Sequence, residues 1–410
     1  MKITQIELFH VSMPVKNTFY PAWIPGYPQD KNRFTLARLM TDDGFVGVAA
    51  GMAFSEEREG LGKLLAPYLL GLDPCDTGLM HQRLFEGSIL HWRNYFLELA
   101  AYDIKAQVED KPLWKLLGGT DKPIPVYWST GSVCEPKKHA KIIERAEKEG
   151  YKTVKLRVHA KTLEEDVKVI KETRAITGRD YPVAIDVNQG WPVTIVDRIP
   201  MWDLLRARTF VNAIKDENIA WLEEPLYMRA YEDLAELRKD SPIKIAGAEL
   251  NYGWDEVRMM LHFGSFDIYQ PDVTFFGIID TLKTIEATRE HGLAYSPHTW
   301  TNGIGLWSNM HMYALADREH PLEFPHEPGT WTLEARDGML TSPIIPKDGY
   351  LELSQEPGLA APIDWDKIKK FSTCFFSMTE GDLRKQVMKE KGIVTALKLK
   401  RRKDKEAKSG

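Results

Sequence analysis

The spacing of hydrophobic and polar positions changes character near residue 122. Before that point the pattern reads as strands and then helices. ITQIELFHV and FTLARLMTDDGFVGVAA alternate as strands do, and LELAAYDIKAQVEDKPLWKLLGG carries helical spacing. That order predicts an α+β unit over residues 1–122. Between its first strands, VKNTFYPAWIPGYPQDKNRF is aromatic and rich in Pro and Gly. This stretch is expected to be a long loop, neither strand nor helix.

From Lys122 onward, short apolar runs alternate with amphipathic stretches, the βαβ rhythm of a parallel sheet. Eight runs read as strands: VYWSTG, TVKLRV, VAIDVN, AWLEEP, KIAGAE, FDIYQPD, LAYSPHT and LEFPHE. Among the helices between them are KKHAKIIERAEKEG, LEEDVKVIKETRAITG, YEDLAELRKD and IIDTLKTIEATREHG. Eight units in series predict an α/β fold with a TIM-type (β/α)8 barrel over residues 123–340. A doubly wound open sheet is the rival, but it calls for a Gly-rich phosphate turn after its first strand, and none is present. Residues 341–376, with GYLELSQEPGLAAPIDWDKI, return to turn-rich, strand-like composition and are expected to pack back on the front unit. Residues 377–410 run from helical to strongly basic, ending KLKRRKDKEAKSG, and are expected to form a solvated, partly disordered tail.

Composition narrows the classes of partner. With 43% hydrophobic residues in a 410-residue chain, a sizeable core is available. The net charge of -5 gives no overall attraction to nucleic acid or an anionic membrane, so a small-molecule partner is expected. Cys75, Cys134 and Cys374 are widely separated with no CxxC pair, which fits reduced thiols. The start, MKITQIELFHVSMP, lacks the apolar run of a signal peptide, and no stretch is apolar enough to span a bilayer. A cytoplasmic protein is the expectation.

Charged residues in a packed barrel need a reason to be there, and here they gather at strand ends. Lys155 and Arg157 end the second strand, Asp186 with Asn188 the third, Glu223 and Glu224 the fourth, and Glu249 the fifth. Asp272 ends the sixth, His298 the seventh, and Glu323 and Glu327 the eighth. In a TIM barrel these ends converge on the mouth where active sites are built. Asp186, Glu223 and Glu249 would bring carboxylates together from three adjacent strands, and a hard divalent cation, magnesium before zinc, would relieve their repulsion. Structural salt bridges at the rim are the other reading. Lys155 and Arg157 alternate along one strand and so share a face, expected to be the barrel interior. A lysine beside a bound cation and a second cationic group loses its proton more easily, which suits it to act as a base or to bind substrate charge. Asp272 could orient His298 and raise its basicity.

At this point the sequence resembles the enolase superfamily, in its mandelate racemase branch. The matching stretches are KPLWKLLGG, VKLR, AIDVNQGW, WLEEPL, GAE, QPD, SPH and LEF, and the likeness covers nearly the whole chain apart from the basic tail. The resemblance implies a modified barrel under an α+β capping domain built from both ends of the chain. It implies magnesium held by Asp186, Glu223 and Glu249, a His298 and Asp272 pair, and an acid at Glu323. It further implies a homo-oligomer acting on a small carboxylate by removing its alpha proton to form an enediolate. Magnesium, Lys155 and a hydrogen bond from protonated Glu323 would stabilise that charge.

One departure bears on reaction type. Racemising members of the branch carry a second lysine where this chain has Arg157, and arginine is a poor base. Beta-elimination of water from a sugar acid, giving a 2-keto-3-deoxy acid, is therefore favoured over racemisation or epimerisation. Lys155 as a second base keeps the isomerase alternative open. A muconate-cycloisomerase-like activity would want lysines on both sides of the site, and a catalytically silent binding barrel would not need the acids. For substrate binding, Asn188, Tyr20 and Trp23 are the candidates, with Tyr27 in the same stretch and Met52, Phe54 and Arg58 in a second loop. These aromatics either cover the site or pack on the front unit.

Overall fold

Strand alternation buries Ile6 and Leu8 on one side of β1 (Ile3–Phe19) and Val11 on the other, and the chain turns back as β2 (Gln29–Thr41) and β3 (Val46–Gly51). This computed structural model describes residues 1–52, 59–90, 93–192 and 196–409. β1 pairs antiparallel with β2 on one side and, on the other, with β13 (Ser372–Thr379) from the C-terminal region. The sheet order is β13-β1-β2-β3. The helix Leu97–Val108 lies so close on it that a Cβ at Gly47 would sit 1.9 Å from the Ala100 carbonyl oxygen.

The expected long loop after the first strand is much shorter than its composition suggests. β1 runs through Pro14 to Phe19 and β2 begins at Gln29, so only residues 20–28 lie between them. The reason is alternation beneath the proline-rich surface. Val15, Phe19, Asn32 and Phe34 point inward while Lys31 and Arg33 point out, and the pairing register shifts between Pro14 and Phe19.

The second sheet is parallel and curled. Its strands are β4 (Ile124–Val133), β5 (Val154–Arg157), β6 (Val183–Asp186), β7 (Ile219–Glu223), β8 (Lys244–Gly247), β9 (Ile268–Tyr269), β10 (Ala294–Tyr295) and β11 (Leu322–Pro325). Hydrogen bonding runs in order from β10 round to β4 and on to β11, with β12 (Tyr350–Leu351) added to β4. Each strand matches one of the eight expected from sequence. The pairing of the last strand with the first makes this the modified barrel. Inside it, Tyr127, Ala184, Trp221, Ala246 and Ile268 form a separate apolar plug, with Tyr127 and Trp221 edge to face at 4.9 Å. Polar groups above the plug can therefore be organised away from water.

Cap and barrel share an apolar cluster that includes Leu39, Leu97, Ile278 and Met312. Two polar clamps reinforce it. Arg93 donates to the carbonyls of Leu250 and Asn251 at 2.6 and 2.5 Å. His81 meets buried Glu98 at 2.5 Å and Asp280 at 3.7 Å. The tail is helical over Glu380–Lys391 and Ile393–Ser409, and the second helix, in the basic stretch expected to be solvated, docks on the cap. Arg83 pairs with Glu406 at 2.5 Å, and the Lys403 ammonium donates to the Leu70 carbonyl. Its basic composition hid these partners. Among the described residues no helix is long and apolar enough to cross a membrane.

Candidate active site at the barrel mouth

The β5 sequence VKLR puts Val154 and Leu156 into the surrounding core and turns Lys155 and Arg157 to the opposite, interior face. Parallel registry sets Lys155 beside Ala184, Arg157 beside Asp186, and Asp186 beside Glu223. Lys155, Asp186, Glu223 and Glu323 are all fully buried. The Lys155 ammonium lies 2.5 Å from Glu223, 2.7 Å from Glu323 and 3.6 Å from Asp186. Arg157 pairs with Asp186, donates to the Asn188 side-chain oxygen at 3.3 Å, and donates through Nε to the Thr130 carbonyl at 2.7 Å. Glu223 also accepts from Gln270 at 2.8 Å and Trp221 at 3.1 Å.

On the opposite side, His298 Nδ1 lies 3.1 Å from Asp272 Oδ2, and its Nε2 is 3.9 Å from Glu249. Three donors hold the other Asp272 oxygen: the Thr274 amide, the Thr274 hydroxyl and the Asn309 amide, at 2.8, 2.7 and 2.8 Å. That grip leaves Oδ2 for the imidazole. The fold thus brings together Lys155, Arg157, Asp186, Asn188, Glu223, Glu249, Asp272, His298 and Glu323 in one mouth, with Trp23 above them.

The charge balance of this mouth is lopsided. Asp186, Glu223, Glu224, Glu249 and Glu323 face two permanent cations, Lys155 and Arg157, and one imidazole. Burial pushes Asp186 up to about 7 despite Arg157, raises Glu249, and with the neighbouring acids drives Glu224 far above the usual carboxylate range. Glu224 Oε2 has no hydrogen-bond partner. A Cβ at Gly190 would meet the other Glu224 oxygen at 2.2 Å, so a side chain there would displace this carboxyl. Burial opposes charge on His298, but Glu249 and Asp272 outweigh it and raise its pKa to about 9.

Two protonation states follow from the charges of this chain alone. Burial alone would raise Glu323, yet Lys155, His298 and Arg157 hold it down to about 2. Ionised Glu323 accepts from Ser129 Oγ at 2.8 Å and the Thr299 amide at 2.6 Å, so it is an acceptor here, not a protonated donor. Burial likewise favours neutral Lys155, but Glu223 and Glu323 keep it charged; the easier deprotonation expected from sequence is that of a lysine beside a bound cation, which would draw on the same Glu223 carboxylate.

Magnesium was expected at Asp186, Glu223 and Glu249. Among the described residues, no group of three or more His, Cys, Asp or Glu side chains is gathered tightly enough to hold a metal ion as it stands. Lys155 and Arg157 lie among the acids instead. The donor chemistry nevertheless fits: the set is all oxygen, its acids outnumber the permanent cations Lys155 and Arg157, carboxyls that burial keeps from ionising would release their protons beside a divalent cation, and Glu224 has an orphaned oxygen.

The remaining candidates divide. Tyr20 is 54% exposed and does not line the cavity beside the mouth, because alternation at the end of β1 sends Phe19 inward and its neighbour outward. Trp23 does reach the site, 5.4 Å from the Arg157 guanidinium and 5.0 Å from the Trp300 ring. Tyr27 and Met52 line an adjoining cavity, whereas Phe54 and Arg58 fall outside the described residues. Sequence reasoning missed Ser129, Trp300 and Asn309. Trp300, two residues after His298, was the most visible of them, and Asn309 is recognisable only once its helix is placed.

The family described as Mandelate racemase / muconate lactonizing enzyme, N-terminal domain, matches residues 5–118, and that described as Enolase C-terminal domain-like matches residues 138–367. Arabinonate dehydratase of Saccharolobus solfataricus is 25% identical over 83% of this chain and 91% of its own length. D-galactarolactone cycloisomerase of Agrobacterium fabrum is 25% identical over 83% of this chain and 92% of its own. The crystal structure of a racemase from Streptomyces coelicolor with bound magnesium superposes with a TM-score of 0.77 at 19% identity, covering 90% of this chain and 100% of that one.

Proposed function

The chain belongs to the enolase superfamily, in its mandelate racemase and muconate lactonizing branch, and from the site its fold carries we propose that it removes the proton alpha to a carboxylate. Relatives in this group are dehydratases, cycloisomerases and racemases, which supports an enzyme. The reaction we favour is magnesium-dependent dehydration of a sugar acid to a 2-keto-3-deoxy acid.

Asp186, Glu223 and Glu249 would hold the magnesium, which supplies positive charge to bind the substrate carboxylate and offset the charge that develops as the proton leaves. Glu249 does most to keep His298 protonated, and a magnesium ion on that carboxylate would offset its charge and lower the imidazole pKa. Neutral His298 Nε2 then takes the alpha proton, and Asp272 on Nδ1 holds the ring in position and stabilises the imidazolium. The same imidazolium then returns the proton to the departing beta hydroxyl as the carbon–oxygen bond breaks, so a single residue serves as base and acid. Lys155 stays protonated and directs its ammonium at the developing oxyanion.

The observation that carries this reading is the asymmetry of the mouth: an oriented imidazole on one side faces a lysine held as a cation by two carboxylates. Racemisation in both directions needs, on each face, a group that can both take and return a proton; Lys155 held as a cation returns one without taking one, and Arg157, paired with Asp186, does neither. The test is incubation with magnesium in deuterated water against mono- and diacid sugars, following the alpha proton by NMR and keto acid by semicarbazide absorbance. Keto-acid formation is expected; alpha exchange with inverted product and no keto acid would overturn dehydration in favour of the isomerase reading.

A further inference from the structure

Beneath the acids of the mouth, Glu223 is held by two donors that the proposed chemistry does not use. Trp221 lies two residues before Glu223 on β7, so both side chains point into the barrel, with the indole one layer lower in the apolar plug. Its ring packs edge to face on Tyr127 at 4.9 Å, and the plug residues Ala184 on β6 and Ala246 on β8 are small enough to leave it room. From there Nε1 donates to Glu223 Oε2 at 3.1 Å. Gln270, directly after β9, donates to the same oxygen through Nε2 at 2.8 Å.

Both donors are unusual occupants of a barrel core. Trp221 is 3% exposed and Gln270 1%. Gln270 Oε1 is buried with no partner, so burying this amide is unfavourable apart from what its other end gives Glu223. A methionine would fill the same space without that cost. The pair is explained by the oxygen on which both converge.

A carboxylate offers two oxygens with about four lone pairs between them. Trp221 and Gln270 fill the two on Oε2, and Lys155, 2.5 Å from Oε1, takes a third. Glu223 therefore has one oxygen left to give. That restriction matters to the choice of cation. Calcium accepts roughly six to eight oxygens in a flexible shell and readily takes both from one carboxylate, whereas magnesium demands a compact octahedron and is served by single oxygens.

We propose that Trp221 and Gln270 are positioning residues that keep one oxygen of Glu223 away from the cation, so that the site prefers magnesium to the larger calcium. The inference rests on the reading of Asp186, Glu223 and Glu249 as the magnesium site and adds to it what sets the choice of ion.

The test is calorimetric titration of the full chain, stripped with EDTA and exchanged into metal-free buffer, with magnesium and separately with calcium. Two variants are compared with wild type: Trp221→Phe, which keeps a ring in the plug and removes the N–H, and Gln270→Met, which keeps the length and removes the amide. Wild type is expected to bind magnesium more tightly than calcium. Each variant, in protein whose thermal melt shows it folded, is expected to lose about 10- to 100-fold in magnesium affinity. Calcium affinity is expected to change less, so the magnesium-to-calcium ratio falls by at least about fivefold. General loosening of the barrel would weaken both ions alike. A ratio unmoved in the folded variants, or wild type that binds calcium as tightly as magnesium, overturns the proposal and leaves the metal site standing. Asp186→Asn removes one of the three acids and is expected to abolish binding of both ions. Magnesium binding unmoved by Asp186→Asn, or no magnesium binding to wild type, overturns the metal reading and this inference together.

Discussion

Asp272 shows how a single side chain is committed to one task. With Thr274 and Asn309 holding Oδ1, its only free direction is toward His298. Asp272→Asn keeps the shape but offers an amide where the imidazole needs a carboxylate, so alpha-proton exchange is expected to fall by roughly 10² to 10⁴. Rates within threefold of wild type by NMR would contradict this role. Asp272 and His298 were legible in the sequence because both end strands of a recognisable barrel. The ionisation of Lys155 and Glu323 was not legible, since it depends on which oxygens meet which ammonium across β5, β7 and β11. The inward turn of Phe19 was hidden for a simpler reason: inside a proline-rich stretch, nothing in composition reveals which of two adjacent aromatics faces inward.

At the scale of elements, the eight barrel strands could be read because each is a short apolar run ending in polar residues, but the contacts between cap and barrel could not. Arg93 in the cap clamps the two carbonyls directly after Glu249, and its guanidinium lies 3.6 Å from the Tyr252 ring. Arg93→Met is expected to weaken magnesium affinity by about 10- to 100-fold in calorimetry, as loss of groups that orient a ligand does. Unchanged affinity would show that Glu249 is positioned without it. The second clamp is sensitive to pH. Burial lowers the His81 pKa, but Glu98 and Asp280 overcome this and raise it above 6.5. The raised His81 pKa means that the pairing is present at pH 6 and fades as pH rises through the raised value; because burial also raises Glu98, it weakens again in acid as that carboxylate takes up a proton. After allowance for partial exposure, His81→Gln is expected to cost about 1 kcal/mol in urea unfolding at pH 6. The cost should shrink at pH 9, and equal losses at both would contradict the clamp. The tail illustrates the limit of composition. Its lysines and arginines look solvated as a string, yet Lys403 and the Arg83 partner Glu406 face the cap once the segment is helical.

For the whole molecule, the central feature is a barrel that gathers more buried acid than its own cations can balance and covers it with an aromatic cap. Such an arrangement is costly to the fold unless the site is used. The measurement that tests this most directly is alpha-proton exchange in deuterated water on an acid the protein accepts, with magnesium or with EDTA, for wild type and His298→Asn. Exchange is expected only with magnesium and is expected to drop by at least about 100-fold in His298→Asn. Exchange that persists undiminished in EDTA, or in folded His298→Asn, would contradict the account.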